Sequence, residues 1–290
     1  MKIKIRLRRS IPFVFLSPFL ILLVLFYVLP LVYGFYISLF RQYGLRPPIF
    51  IGMGNYIKAF TDIGFLTSVL TMGKFFLIQG SIMIGLALLF ALYIDNEKNH
   101  LRGLFRMVYY IPFAIPTVVS GILWGFMYSK SLSPFQSIFS LVGLLHPDFL
   151  SSGNLFWSII NIVTWEWTGY NMIILYSGLQ TIPRELYEAA YIDGAGNFDI
   201  IKYIKLPLLI PSIILATIFT VIGSFQLFNE PFVLQSMTYV SPHLTPNLYI
   251  YITAFNYGNF NFAAAMAMIL AIVTFAVSSI FIRYSALEEE

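Results

Sequence analysis

The sequence predicts an all-α membrane protein with six transmembrane helices and both termini in the cytoplasm. Three observations lead there. First, 59% of the 290 residues are hydrophobic and only 10% are charged, against roughly 25% in an average soluble domain, and the mean hydropathy is +0.81. Apolar surface on that scale excludes both a water-solvated globule and a disordered chain. Second, the intervals between charged residues match the roughly 20 apolar residues that a helix needs to cross the hydrocarbon. Third, the basic residues fall unevenly on the two sides of the spans so defined. The chain has no cysteine, which removes disulfides, thiolate metal sites, cysteine nucleophiles and iron–sulfur ligation. Its net charge of +4 forms no basic stripe of the kind nucleic acid requires.

The first span lies in the charge-free run Ser10 to Phe40. A basic start, Met1 to Arg9, precedes it, but about thirty apolar residues with no small-residue cleavage pattern do not make a signal peptide, whose apolar region is roughly 7–15 residues. This segment reads as an anchor helix that is retained. The second span covers Phe75 to Ile94 with a few preceding residues, and the third Met107 to Ser129. The fourth, Leu155 to Gln180, contains one acid, Glu166. The fifth follows Leu206 and reaches Asn229. The charge-free stretch from Pro231 to Ile282 is 52 residues long, too long for one helix and interrupted by Pro242, Pro246 and Gly258. Its first half reads as an outer loop or interfacial segment that includes Asn259 and Asn261, and Phe262 to Ile282 as the sixth span, ended by Arg283.

Cytoplasmic loops carry an excess of Lys and Arg. With the N-terminus inside, twelve basic residues are cytoplasmic: Lys2, Lys4, Arg6, Arg8, Arg9, Lys98, Arg102, Arg106, Arg184, Lys202, Lys205 and Arg283. Five lie outside or near the outer edge: Arg41, Arg46, Lys58, Lys74 and Lys130. The outer segments Arg41 to Asp62 and Lys130 to Asn154 read as loops with room for little more than a turn of helix, too short for an independent domain. The expected division is therefore an N-terminal tail, first helix and outer loop over residues 1–62, and a five-helix core over residues 63–290 with a cytoplasmic loop at 180–207. The terminal Glu288, Glu289 and Glu290 read as a solvated end. His100, His146 and His243 are scattered without metal-ligand spacing, so no metal site is expected.

Seven of the thirty Asp, Glu, Lys and Arg residues fall in the 28 positions from Gln180 to Pro207. The pattern there predicts helix, turn, helix. Pro183 suits a first helical turn, where its missing N–H costs nothing, and Glu185 and Glu188 follow near the positive end of the helix dipole. Leu186, Ala189 and Ala190 form a small, flat apolar face. Gly194 and Gly196 end the helix, because glycine readily takes the left-handed conformation of a C-cap. A second short helix starts at Asn197, with Phe198, Ile201 and Ile204 on one side, and Pro207 begins the next span. Physics alone leaves two readings open, an ordinary charged loop or a docking surface.

A resemblance to a known family rests on these residues. Glu188-Ala189-Ala190, then Gly194, then Ile204, Leu206 and Pro207 resemble the EAA signature of the membrane subunits of binding-protein-dependent ABC importers, with its spacing kept. Gly178 to Pro183 and Leu186 to Ala195 are similar to the carbohydrate-uptake branch. Leu29-Pro30 with Tyr33 and Ser38, Phe50 to Tyr56, and Gly258 to Ile269 resemble the first of the two permeases that such sugar systems encode. The resemblance implies a type I importer (MetI-like) permease fold and a multi-pass location in a prokaryotic cell membrane. It also implies a second EAA-type permease, two cytoplasmic ABC ATPase subunits that hold ATP and Mg, and an extracytoplasmic sugar-binding protein. Glu188, Ala189, Ala190, Asp193, Gly194, Leu206 and Pro207 would then form the coupling helix that seats in an ATPase cleft. No G-x-x-x-x-G-K-[ST] P-loop occurs in this chain, so no nucleotide is expected on it. Some maltose-type relatives carry two further N-terminal spans and a large insertion for which the sequence leaves no room. Gln235 to Tyr239 replaces a glycine-rich turn common in the family after the fifth span.

Ionisable residues within spans are functional candidates. Glu166 stands between Trp165 and Trp167, with Asn161 and Asn171 five positions away on either side. Sugars present apolar ring faces and many hydroxyls, which aromatic platforms beside amides and carboxylates accommodate. The alternative is an interfacial tryptophan belt with Glu166 paired to a neighbouring helix. Gln226, Asn229 and Glu230 at the end of span five allow the same two readings. Other function classes are less well matched. An ion-coupled secondary transporter acting alone would show paired acids deep in several spans and inverted repeats, and an intramembrane enzyme would need a nucleophile–base pair or clustered acids; neither pattern is visible.

Overall fold

The computed structural model describes residue 13 and residues 15–42, 44, 46–96, 100–130, 133–134, 139–141, 143 and 147–287. The basic start from Lys2 to Arg9, Lys98, His146 and the tail Glu288 to Glu290 lie outside the described residues. The chain forms α1 (Phe15–Ser38), a strand pair β1 (Phe40–Arg41) and β2 (Ile49–Phe50), α2 (Gly54–Thr61) and α3 (Ile63–Asp95). Then follow α4 (Arg102–Ala114), α5 (Thr117–Tyr128), α6 (Leu155–Leu179) and α7 (Arg184–Ile192). Helix α8 covers residues 197–225, α9 is Asn229–Leu234, α10 is Pro246–Tyr251 and α11 is Phe260–Leu287.

Among the described residues four helices are long and apolar enough to cross a membrane: α1, α3, α8 run on with α9, and α11. A fifth is reached if α4 and α5 count as one. The third predicted span is not one helix, because Pro116 drives Ile115 into extended backbone (φ −81°, ψ 130°) through the clash that a proline imposes on its predecessor. The two halves meet at a bend of 97°. The fourth predicted span is helical throughout as α6 but too polar to count as lipid-facing; 14 of its 25 residues are buried, among them Thr164, Glu166, Thr168 and Asn171.

Two more boundaries differ from expectation. Helix α3 begins at Ile63, twelve residues before Phe75 and well beyond the few preceding residues expected, and its 33 residues give a length on the order of 50 Å, beyond the hydrocarbon thickness. Lys74 lies within it and is exposed; a long basic side chain on the surface of a helix does not end that helix. The fifth span begins earlier, at Asn197, and stops at Phe225, leaving Asn229 and Glu230 to start α9.

The described residues group into two compact units. One comprises the described residues up to Ile63 together with Ile250–Ile269. Within it the segment after α1, expected as an outer loop, is more ordered than a loop: the strand pair is antiparallel, with Phe40 opposite Phe50, and α2 is a two-turn helix of eight residues. Asn55, 3% exposed, explains this order by donating from Nδ2 to the carbonyls of Ser38 at 2.8 Å and Phe40 at 2.7 Å. Ser38 and Tyr56 share a hydroxyl hydrogen bond of 2.6 Å. Asn261, in the first turn of α11 rather than in the loop before it, donates to the Ile37 carbonyl at 2.8 Å. Asn55→Leu removes the donor from one buried and one part-buried carbonyl, so it is expected to cost about 2 kcal/mol, read as a lower thermal midpoint in detergent with helix content retained.

The other unit comprises Gly64–Tyr249 and the described residues from Leu270 onward. Its core joins α3, α6 and α8: Ala87, Ala91 and Ile94 at i, i+4 and i+7 meet Met172, Leu175, Leu179, Leu209 and Ala216. In lipid the driving force is close packing rather than exclusion of water, which favours small residues at the contacts. Gly178 meets this need: a methyl group there would collide with Ser212 of α8.

Candidate functional site: an exposed helix and a polar cleft

Helix α7 has no buried residue. Leu186, Tyr191 and Ile192 are exposed, as is Phe198 beyond it, which makes a small apolar surface beside Glu188, Ala189 and Ala190. Pro183 is the N-cap rather than the first helical residue (φ −58°, ψ 136°). The helix ends as the sequence predicts at Gly194, whose φ is +86°. Ala195 N–H bonds to Ala190 C=O at 2.9 Å and Gly194 N–H to Tyr191 C=O at 3.1 Å, the two bonds of a Schellman C-cap. Asp193 is the C-cap residue. Gly196 does not share the left-handed role: with φ −82° it is the N-cap of α8, and its N–H bonds to the Asp199 carboxylate at 2.9 Å.

The second short helix is not separate from the fifth span. Asn197–Ile200 runs through a π-turn, Ile201–Lys205, directly into Leu206–Phe225. Pro207 has no N–H and would crowd the preceding turn of a regular α-helix; widening that turn to i→i−5 bonding, as in Leu206 N–H to Ile201 C=O, accommodates it. At the base of α7, Lys205 Nζ lies 2.5 Å from Asp95 Oδ2 and 5.3 Å from the centre of the Tyr187 ring. Burial and the Asp95 charge push the Tyr187 phenol up to about 12.

Farther along the same helices a cleft of about 210 Å³ is lined by Gln79 and Met83 of α3, Trp167 and Asn171 of α6, Phe219, Thr220 and Ser224 of α8, and the turn Gln226 to Glu230. A second hollow, bounded by Phe113 to Thr117, has Glu166 and Trp167 on its wall. Glu166 is 2% exposed and neither carboxyl oxygen has a hydrogen-bond partner; the Ser120 hydroxyl and the Glu230 carboxyl face it. Asn171 donates to Trp167 C=O at 3.0 Å, while its Oδ1 is buried without a partner. Asn229 donates to Thr117 Oγ1 at 2.9 Å, tying the turn to the start of α5.

The structure therefore divides the residues that the sequence singled out. Glu166, Asn171, Gln226, Asn229 and Glu230 come together on the two hollows. Asn161 and Trp165 do not: Asn161 donates to the Tyr128 hydroxyl at 2.7 Å, and Trp165 packs edge-on to Trp124 with ring centres 5.6 Å apart. Helical geometry explains the split, since at about 100° per residue Trp167 and Asn171 turn to one side of Glu166, and Trp165 and Asn161 to the other. Sequence reasoning missed Gln79, Thr117 and Ser120. A lone amide in an otherwise apolar span was the available signal for Gln79, and it sits in a π-turn, Phe76–Gly80, a distortion frequent at functional sites.

A predominantly helical chain with a polar cleft among its apolar helices and an exposed helix, α7, at one end has the architecture of a membrane transport subunit. The chain belongs to the family of binding-protein-dependent transport system inner membrane components, whose sequence profile matches residues 83–286. It is 32% identical over 291 residues to the lactose transport system permease protein LacF of Rhizobium radiobacter, covering 95% of this chain and 93% of that protein. It is 31% identical over 287 residues to the trehalose/maltose transport system permease protein MalF of Thermococcus litoralis, covering 97% and 95%. Its fold matches a chain of a bacterial ABC transporter that imports the acidic polysaccharide alginate, with a TM-score of 0.85, 19% identity and 99% of both chains covered. A chain of the MetNI methionine ABC transporter matches at a TM-score of 0.59 and 16% identity, over 79% of this chain and 97% of that one. The fold is the MetI-like permease fold, and the chain is a multi-pass inner-membrane protein.

Proposed function

We propose that this chain is one permease subunit of an ATP-driven importer of di- or oligosaccharides, forming the translocation path with a second EAA-type permease. Two cytoplasmic ABC ATPases that bind ATP and Mg drive it, and an extracytoplasmic binding protein delivers the sugar. The observation that carries this reading is α7, a largely exposed helix with no buried residue, with Glu188, Ala189, Ala190 and Gly194 in the family's spacing and closed by the predicted C-cap. Such a helix, projecting from a chain that has no P-loop, suits the cleft of an ATPase, with Asp193, Leu206 and Pro207 shaping its exit. The relatives named for lactose, trehalose or maltose, and arabinooligosaccharides support a sugar as cargo.

In this reading six spans cross the membrane: α1, α3, the bent pair α4–α5, α6, α8 and α11. Both termini are cytoplasmic, on the side where Arg102, Arg106, Arg184, Lys202, Lys205 and Arg283 gather. Residues 1–62 supply the tail, first span and outer segment, and residues 63–290 the core with its coupling loop at 180–207. Glu166, Asn171, Gln226, Asn229 and Glu230 line this chain's share of the path, with Asn161 and Trp165 at its margin. The cleft's volume of about 210 Å³ is below the roughly 300–1,000 Å³ of complete small-molecule sites, as fits a half-site that a second permease completes.

Reconstitution with the partner permease, ATPases and binding protein, followed by uptake of labelled maltose, trehalose and lactose, tests the assignment. ATP-independent uptake by this chain alone would refute it. Glu166→Gln is expected to raise the half-saturating sugar concentration up to about tenfold, the scale of one hydrogen bond. An unchanged transport profile would return Glu166 to a purely structural role.

A further inference from the structure

The three helices that line the cleft meet again at the other end of their unit, on a single carboxylate. Asp95 is the last residue of α3, Gln180 the C-cap of α6 and Lys205 the last residue of the π-turn in α8. Lys205 Nζ is 2.5 Å from Asp95 Oδ2, and Gln180 Nε2 donates to Asp95 Oδ1 at 2.8 Å. Each oxygen of one carboxylate thus holds a different helix. The lysine and aspartate side chains are only 16% and 9% exposed, unlike a surface ion pair, which solvent and salt screen to near insignificance. Tyr187 of α7 lies over Lys205 with ring centre and Nζ 5.3 Å apart, and its hydroxyl is buried without a partner. The rest of α7 touches little, since none of its residues is buried.

We infer that Asp95 is a positioning residue for transport: it locks α3, α6 and α8 together beneath α7, so that displacement of α7 moves all three cleft-lining helices as one body. From Asp95 to Gln79 is about four and a half turns of α3, on the order of 24 Å, and from Lys205 to Thr220 about four turns of α8, on the order of 22 Å. A rigid helix transmits an end displacement over that distance only if its end is held. Apolar packing alone permits sliding, whereas a largely desolvated ion pair with both oxygens engaged specifies one register. The inference rests on the proposed coupling role of α7 and adds the residue through which that role is exerted.

The test uses the assembled transporter in proteoliposomes, with labelled maltose, trehalose or lactose as the probe, whichever the unaltered complex takes up. Sugar transported per ATP hydrolysed is the quantity read. Asp95→Asn is expected to leave assembly and ATP hydrolysis intact while lowering that ratio at least tenfold. The charge-exchanged pair Asp95→Lys with Lys205→Asp is expected to recover most of the ratio that either single change loses. If Asp95→Asn fails to assemble, the doubly neutral Asp95→Asn with Lys205→Gln, which leaves no unpaired buried charge, is read the same way. A ratio unchanged in an assembled neutral variant overturns the inference alone. Absence of ATP-dependent uptake by the unaltered complex overturns it together with the functional reading beneath it.

Discussion

Gly169→Ala is expected to unseat α4 from α6 and to produce the largest loss of stability of any single methyl group in the chain's polar helix. A Cβ built at Gly169 collides with the carbonyl oxygen of Tyr109 and lies 2.9 Å from Tyr110 Cα. Both atoms are backbone, so no rotamer change relieves the overlap and the two helices must separate. Overpacking of this kind costs about 3 kcal/mol, the upper part of the usual range, and a separation also loosens the stacking of Phe113 on Tyr170, whose ring centres are 4.7 Å apart. The expected observation is a fall in thermal midpoint in detergent and a reduced yield of assembled transporter. Gly73→Ala is the control, because nothing lies within 4 Å of a Cβ there. In a helix that change stabilises slightly, by up to about 1 kcal/mol. Equal midpoints for the two alanine variants would sink the prediction.

Gly194→Trp is expected to abolish uptake and the stimulation of ATP hydrolysis while leaving insertion and folding of the membrane helices intact. Nothing lies within 4 Å of a Cβ at this position, but its φ is +86°, so the damage is conformational rather than steric. A side chain other than glycine in left-handed backbone costs about 1–2 kcal/mol, enough to compete with the two cap hydrogen bonds that end α7. The indole would also project from the surface on which α7 is proposed to dock. Gly194→Asn separates the two effects, since asparagine tolerates left-handed backbone. It should retain a substantial part of the uptake, whereas normal uptake by the tryptophan variant would refute the docking role.

Much of this was legible in the residues themselves because lipid is a simple solvent. A backbone crossing it must satisfy its own hydrogen bonds, so long apolar runs can only be helices, and α6 and α11 start within two residues of the predicted positions. The end of α7 was equally legible, because a positive φ selects glycine locally and Gly194 needed no tertiary partner to be identified. Charge positions were a poorer guide to helix ends: Lys74 is carried on the surface of α3 instead of preceding it. A break was legible only as a proline pair in the third span, since Pro112 stays within α4 while Pro116 separates it from α5, and sequence does not say which of two prolines a helix tolerates.

Composition marked the chain as a membrane protein, and the resemblance carried by the spacing from Glu188 to Pro207 marked it as a permease and singled out the segment proposed to meet a partner, because each signal is local or additive along the chain. Which polar residues share a cleft was decided only by the tertiary structure. Asn161 and Asn171 are equivalent in sequence, each five positions from Glu166, yet only Asn171 lines the cleft beside Gln226 and Asn229. The position of Asp95 is the same kind of fact: in the sequence it is one acid at the end of an apolar run, 110 residues from Lys205. Contacts over such separations depend on how helices pack in three dimensions, and neither period nor composition records that.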